Sequence, residues 1–178
     1  GGYPPPPGAS PIMGLECAGE VVEIGEGVQR CKVGDHVCAL LAGGGYAEEV
    51  VVPAGQVLPV PNGLNMGQAA AIPEVFATAY LNLYMEGALQ AAEKVIVHAG
   101  ASGVGTAAIQ LLAQSNNSVF VTVGSAAKLQ NCIELGAAAG SVRHEGSFAA
   151  AAGPWAGDAG VDVILDPVGG QYLMNNLN

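Results

Sequence analysis

The stretch Val95–Leu112, VIVHAGASGVGTAAIQLL, decides the fold. A β-branched run leads into Gly100, Gly103 and Gly105, and these lead into a helical run of Ala, Ile, Gln and Leu. Strand, tight turn and helix, in that order, build a phosphate cradle. Amides at a helix N-terminus lack intrahelical partners, and the helix dipole is positive there. Counted from Gly100 the spacing is G-x-x-G-x-G, not G-x-G-x-x-G. A strand-to-helix turn needs glycine for steric reasons alone, so the loop by itself leaves a purely structural turn open beside dinucleotide binding. Its setting in a βαβ unit weighs toward the dinucleotide. No G-K-[ST] follows the glycines, which excludes a Walker-type loop.

Outward from this stretch the rhythm is strand–helix–strand–helix. Val95–Ala99 predicts a strand, roughly Val104–Ala113 a helix, and Val119–Val123 a second strand. The next helix carries Leu129, Cys132 and Ile133 on one face and stops at Gly136. A weak strand near Gly140–His144 and a firmer one in VDVILD follow. Such alternation predicts a parallel, doubly wound α/β sheet, here partial, because a full dinucleotide fold needs about two more strands. Pro73 opens a helix in which Phe76, Ala79, Tyr80 and Leu83 recur at helical spacing. Upstream, GEVVEIG, DHVCALL and AEEVVVPAGQVLPV read as short strands of a small all-β barrel or sandwich. The domains are therefore expected at 1–72 (β-rich) and 73–178 (α/β), both incomplete. Pro4–Pro7 predicts an extended polyproline-type loop, with a partner-docking motif as the sharper alternative.

Bulk properties narrow the function. The chain of 178 residues is 51% hydrophobic and 11% charged, which fits a well-buried globular fold and excludes a disordered tail. A net charge of −10 argues against nucleic acid or an anionic membrane surface as partner. No apolar run approaches the roughly 18 residues of a membrane span. Cys17, Cys31, Cys38 and Cys132 are scattered, so neither a structural zinc cluster nor a disulfide framework is indicated. Reduced thiols in a cytoplasmic protein are the expectation. The chain begins Gly-Gly-Tyr without Met, so a targeting signal upstream stays open, and a piece lacking both ends is expected.

All positive charge lies in Arg30, Lys32, Lys94, Lys128 and Arg143, so their placement is informative. An NAD-selective site puts Asp or Glu at the end of the second strand, about 20 residues past the loop, to accept the ribose 2′-hydroxyl. Here VTVGSAAKLQ places Gly124 and Ser125 at that position and Lys128 in the first turn of the next helix. A small residue and a cation accommodate a 2′-phosphate that a carboxylate would repel. Arg143, ending the weak third strand, would lie beside it in a parallel sheet. The bland alternative, two solvated surface charges, stays beside the NADP(H) expectation.

The chain resembles the medium-chain dehydrogenase/reductase superfamily. HAGASGVGTAAIQLL, preceded by AAAIPEVFATAYLNL and followed by VTVGSAAKLQ, LGAAAG and GVDVILDPVGG, carries the likeness. It looks like the zinc-free quinone oxidoreductase (zeta-crystallin-like) branch, within it the subtype of tumour-suppressor-inducible quinone oxidoreductases. GYPPPPGASPIMGLECAG and LLAGGGYAEEVVVP are similar to that subtype too. The resemblance implies a GroES-like β domain ahead of a Rossmann domain. It implies that the amides of Ser102, Gly103 and Val104 face the pyrophosphate, while Gly105 permits close helix–strand packing. Gly124 and Lys128 match the family's 2′-phosphate pocket; Arg143 departs from the pattern, since relatives carry Tyr or His there. Thr78 matches a threonine near the nicotinamide, and Val168 and Gly169 match a loop along the cofactor. A homodimer is implied for the full-length protein.

Zinc is the sharpest test within the superfamily. Relatives that bind it carry G-H-E-x-x-G, whereas here Gly14-Leu15-Glu16-Cys17-Ala18-Gly19 puts leucine in the ligand position. Cys17 and His36 are conceivable ligands but read as packed or turn residues, and His98 as a satisfied structural histidine. No metal is expected. Without one, the acceptor must take hydride unaided, as quinones and activated enones do. The expected function is an NADPH-dependent quinone reductase. Its alternatives are an enoyl or alkenal reductase of the same fold and a non-catalytic, crystallin-like NADPH-binding protein. No catalytic acid or base is named. Tyr46 is left between lining the acceptor pocket and packing in the barrel core.

Overall fold

The computed structural model describes residues 4–177; Gly2 and Tyr3, which begin one of the stretches quoted above, lie outside them. The chain divides into two compact units, Gly1–Val75 and Phe76–Asn178.

In the first unit, strands β1 (Glu16–Glu20), β2 (His36–Leu40) and β3 (Val57–Pro59) form an antiparallel sheet in the order β1-β2-β3. The β1–β2 register pairs Glu16 with Leu40 and Glu20 with His36. The turn into β2 is made by Asp35, whose carboxylate accepts the Lys32 amide, and by Gly34 at φ +89°. Strand runs are shorter than the sequence pattern predicts. Residues 22–25 and 47–52 are not strand, although both alternate or are β-branched, and Val51 is fully exposed. A strand needs a neighbour to accept its ladder, and among the described residues none pairs with either segment. Tyr46 is 74% exposed, which excludes the core role considered for it. Pro4–Pro6 has no regular structure, and Pro7-Gly8 forms a turn closed by the Ala9 amide on the Pro6 carbonyl. Proline fixes the φ of the first turn position and Gly8, at φ +82°, supplies the left-handed second one.

Helix α1 (Met66–Ala69) opens with a capping box, Asn65 and Gln68 each bonding the other's amide. Helix α2 (Pro73–Tyr80) starts at proline as expected, and a β1 carboxylate serves its first turn: Glu16 Oε2 accepts the Glu74 amide at 3.0 Å. It runs on into a π-helical turn over Leu81–Glu86.

The second unit is the α/β part. Its parallel sheet has the order β6-β5-β4-β7, from β4 (Lys94–Val97), β5 (Ser118–Val123), β6 (Ala139–Val142) and β7 (Val163–Leu165). Register pairs Val97 with Val121 and with Leu165, and Val123 with Val142. The chain steps from β4 outward to β5 and β6, then crosses back to add β7 on the other side of β4, which makes the ends of β4 and β7 a topological switch point. Helices α3 (Gly103–Gln114), α4 (Ala126–Glu134) and α5 (Phe148–Ala156) connect the strands, and α6 (Leu173–Asn176) follows β7. Both sheet faces are covered, so the strands read as near-continuous apolar runs, with Val95–Val97 and Val119–Val121 almost wholly buried. Beneath α5, Ile96, Phe120, Phe148 and Ala152 form a buried cluster, completed by Trp155, Val161, Ile164 and Tyr172.

Candidate functional site

The glycine loop is built by close approach. A Cβ on Gly105 would sit 2.6 Å from the carbonyl oxygens of both Ala99 and Gly100, and one on Gly100 would sit 2.8 Å from Val121 Cβ. Only hydrogen fits where α3 leans on the end of β4. Ala99 takes φ +52°, a left-handed value uncommon for a residue with a Cβ. Ser102 caps α3: its Oγ accepts the Gly105 amide at 3.1 Å. Its own amide donates to the Ala99 carbonyl at 2.8 Å. Of the amides expected to face a pyrophosphate, that of Ser102 is thus committed to the turn. Those of Gly103 and Val104 have no acceptor among the described residues, and they stand at the positive end of a 12-residue helix.

An open cavity of about 270 Å³ lies beyond the C-terminal ends of the strands, against this helix start. Ser102, Thr122, Gly124, Lys128, Arg143 and Val168 line it, together with Ala99, Ala101, Val123 and Tyr172. No carboxylate is among these residues. Lys128 is the third residue of α4, and its amide is capped by Ser125 Oγ. Arg143 is held past β6 by its amide on the Val123 carbonyl. Neither cation has an acidic partner among the described residues; the guanidinium lies 3.4 Å from His144 Nε2. Gly124 is exposed, with open space where a Cβ would be. Gly169 is beside Val168, its amide donating to Asp166 Oδ1. Thr78 lies apart from the cavity, half-buried on α2, its carbonyl accepting Asn82 Nδ2.

Of the polar residues behind the cavity, only His98 stands out in the sequence. His98 is fully buried, as expected of a structural histidine, with Nδ1 3.0 Å from Thr122 Oγ1 and Nε2 2.9 Å from Asn176 Oδ1. Its ring packs edge-on to Phe148 and tilted against Tyr172. Burial pulls its pKa down despite the Asn176 hydrogen bond and the nearby Asp166 carboxylate, both of which favour the charged form. Asp166 experiences the reverse balance: burial pushes its pKa up, but the Gly169 and Val168 amides and Asn176 outweigh that and hold it below the usual range. Asp166 falls within GVDVILDPVGG but is given no role there, and Tyr172 and Asn176 carry no motif visible in sequence.

The conceivable zinc ligands are not brought together. Cys17 pairs with Ala39 and His36 with Glu20, an odd offset of three residues, so the two side chains leave opposite faces of the sheet. Among the described residues no group of three His, Cys, Asp or Glu could hold a metal ion.

The parallel sheet, its switch point and this strand-end cavity define a Rossmann-type scaffold. Residues 1–62 match the alcohol dehydrogenase GroES-like domain and residues 103–178 the zinc-binding dehydrogenase family. The chain belongs to the medium-chain dehydrogenase/reductase superfamily. It is 37% identical over 166 residues to highly-reducing polyketide synthase 1 of Aureobasidium melanogenum, a match covering 92% of this chain and 8% of that protein. Among solved structures, Escherichia coli quinone oxidoreductase complexed with NADPH superposes with a TM-score of 0.85 at 30% identity, covering 98% of this chain and 54% of that one. CurK enoyl reductase gives a TM-score of 0.85 at 31% identity, covering 93% of this chain and 50% of that one. The chain thus spans about half of these solved relatives and under a tenth of the synthase.

Proposed function

We propose that the cavity binds NADP(H) and that the protein to which this chain belongs is an NADPH-dependent quinone reductase working without zinc. The observation that carries the cofactor is the pairing of Lys128 and Arg143, two of only five cations, around the open Gly124 in a cavity without a carboxylate. Guanidinium and ammonium groups bind a 2′-phosphate by charge-assisted hydrogen bonds, and Arg offers a bidentate fork. The free amides of Gly103 and Val104 supply the pyrophosphate contacts, and Gly105 lets the backbone come close. When bound, the nicotinamide supplies the hydride; the chain's residues bind and orient it. Leu15 in the position of a zinc-ligating histidine, with Cys17 and His36 on opposite faces, supports a metal-free reaction. An acceptor reduced without a Lewis acid must delocalise the incoming charge itself, as a quinone does. The subtype that the sequence resembles, the tumour-suppressor-inducible quinone oxidoreductases, agrees with this, as does the NADPH-bound structural relative. A cytoplasmic location and a homodimer of the full-length protein complete the proposal.

A second reading, reduction of an enoyl or alkenal conjugated carbonyl, is favoured by the likeness to CurK enoyl reductase and to the polyketide synthases. Steady-state rates of the complete protein with 1,4-benzoquinone and with a 2-alkenal separate the two. A clear preference for the alkenal replaces the first reading by the second. The cofactor is tested by titration. NADPH is expected to bind more tightly than NADH, and Lys128→Ala should cost on the order of 1–3 kcal/mol for NADPH while leaving NADH nearly unchanged. Equal affinities, or an unchanged ratio in the variant, overturn the NADP assignment.

A further inference from the structure

The groups behind the cavity form one directed chain of hydrogen bonds, and its direction follows from the donors available. Asp166 accepts at both oxygens: Oδ1 takes the Val168 and Gly169 amides at 2.9 and 2.8 Å, and Oδ2 takes Asn176 Nδ2 at 2.9 Å. A carboxylate has no proton to give, so the Asn176 amide must present its nitrogen to Asp166 and its oxygen to His98. His98 Nε2 therefore carries the proton, and Nδ1 is left as the acceptor for the Thr122 hydroxyl. Thr122 Oγ1 in turn accepts the Ala99 amide at 3.4 Å. Every donor from Ala99 to Asp166 has one acceptor in this order, and burial keeps the imidazole in the neutral form that the order requires.

The two ends of the chain stand on different segments that line the cavity. Ala99 and Thr122 belong to the glycine-loop wall, and Val168 belongs to the loop after β7. At one end Ala99 takes φ +52°, uncommon for a residue with a Cβ; at the other the loop turns on Gly169 and Gly170 at φ +64° and +43°, values open to glycine. Neither Asn176 nor His98 lines the cavity, so the middle of the chain acts only through its ends.

We propose that His98, Asn176 and Asp166 are positioning residues that couple the glycine-loop wall to the Val168–Gly169 wall across the β4/β7 switch point, setting the width at which the cavity grips its dinucleotide. This rests on the NADP(H) reading for its ligand, while the coupling itself is a property of the unliganded chain. Asn176→Leu removes both central hydrogen bonds at similar volume. Amide exchange of Val168, Gly169 and, through His98, Ala99 should then quicken at least tenfold, with the β4 and β5 amides unchanged. NADPH affinity should fall about tenfold with the NADPH-to-NADH ratio preserved. Imidazole nitrogen resonances should show His98 protonated at Nε2 in the unsubstituted chain and a tautomer mixture in the variant. Thr122→Val should free Ala99 in the same way, and Thr122→Ser, which keeps the hydroxyl, should restore its protection; this pair decides the matter if Asn176→Leu unfolds. Unchanged protection at Ala99 in both Asn176→Leu and Thr122→Val overturns the coupling, as does a His98 proton on Nδ1. Failure of the unsubstituted chain to bind NADPH overturns the NADP(H) reading and the ligand named here, whereas the exchange and tautomer results still decide the coupling.

Discussion

Ser102 divides its two polar groups between two tasks, its amide closing the turn on Ala99 and its hydroxyl capping α3 at the Gly105 amide. The cap is replaceable only by another acceptor or by glycine's backbone freedom. Ser102→Ala should lower the free energy of unfolding by about 1 kcal/mol and Ser102→Gly by a few tenths, both readable as urea midpoints. His98 makes a different prediction, because burial lowers its pKa. The unfolded chain then binds a proton at a pH where the folded chain refuses it, so the stability from neutral His98 is complete above the ordinary value of about 6.5 and erodes as pH falls below it. Asp166, whose pKa is also lowered, withdraws its contribution only in the more acid carboxylate range. Unfolding midpoints measured between pH 7.5 and about 5 should therefore decline in the unsubstituted chain and much less in His98→Gln. Identical slopes would show that His98 is not the group responsible.

Gly105 shows how an element is seated by one missing carbon. With the ideal Cβ 2.6 Å from two carbonyl oxygens, Gly105→Ala forces α3 away from the end of β4 and should cost about 1–3 kcal/mol as overpacking does. The same shift moves the Gly103 and Val104 amides, so NADPH binding should weaken beyond the stability loss, which a titration of the folded variant would measure. This contact was legible in part: the strand, glycine turn and helix stand in the sequence, and β4, α3, β5, α4 and β7 fall within a few residues of their expected places. Periodicity reports elements that bury a face against the sheet, and these do. It failed where a breaker sits inside an element or a strand has no partner. Helix α5, where the sequence reading names no element, carries Gly153 and Pro154 within its run, yet the proline lies late in the helix with the Ala150 side exposed to water. Past Val21, which still bonds Gly34 and Asp35, residues 22–25 alternate like a strand but find no partner among the described residues. The Lys128–Arg143 juxtaposition was legible because parallel register is simple to extrapolate from strand ends. The His98–Asn176–Asp166 chain was not, since it joins residues 78 and 10 positions apart through polar atoms that no spacing rule encodes.

The two compact units differ in what they bury. In Gly1–Val75 the buried apolar side chains include Cys38, Ala39, Leu41, Val57 and Ala69, mostly small groups on or near a sheet of short strands. Phe76–Asn178 buries Leu83, Ile96, Ile109, Leu112, Phe120 and Phe148 besides two valine-rich strands. At roughly 25 cal/mol per Å² of apolar surface, the second unit has much the larger hydrophobic stabilisation, and the first should open at lower denaturant. Each unit carries its own reporter. Cys38 and Cys132 are both buried, and burial raises both thiol pKa values, with Glu16 adding to the effect at Cys38. Neither should react while its unit is folded, since the thiolate is the nucleophile. Pulsed alkylation across a urea series, read by peptide mass, should label Cys38 at a lower midpoint than Cys132. Emission of Trp155, packed on Phe120 and hydrogen-bonded through Nε1 to Ser118, should follow Cys132. A shared midpoint for both thiols and the tryptophan would instead mean that the chain unfolds as one cooperative body, with the small core of the first unit stabilised by the second.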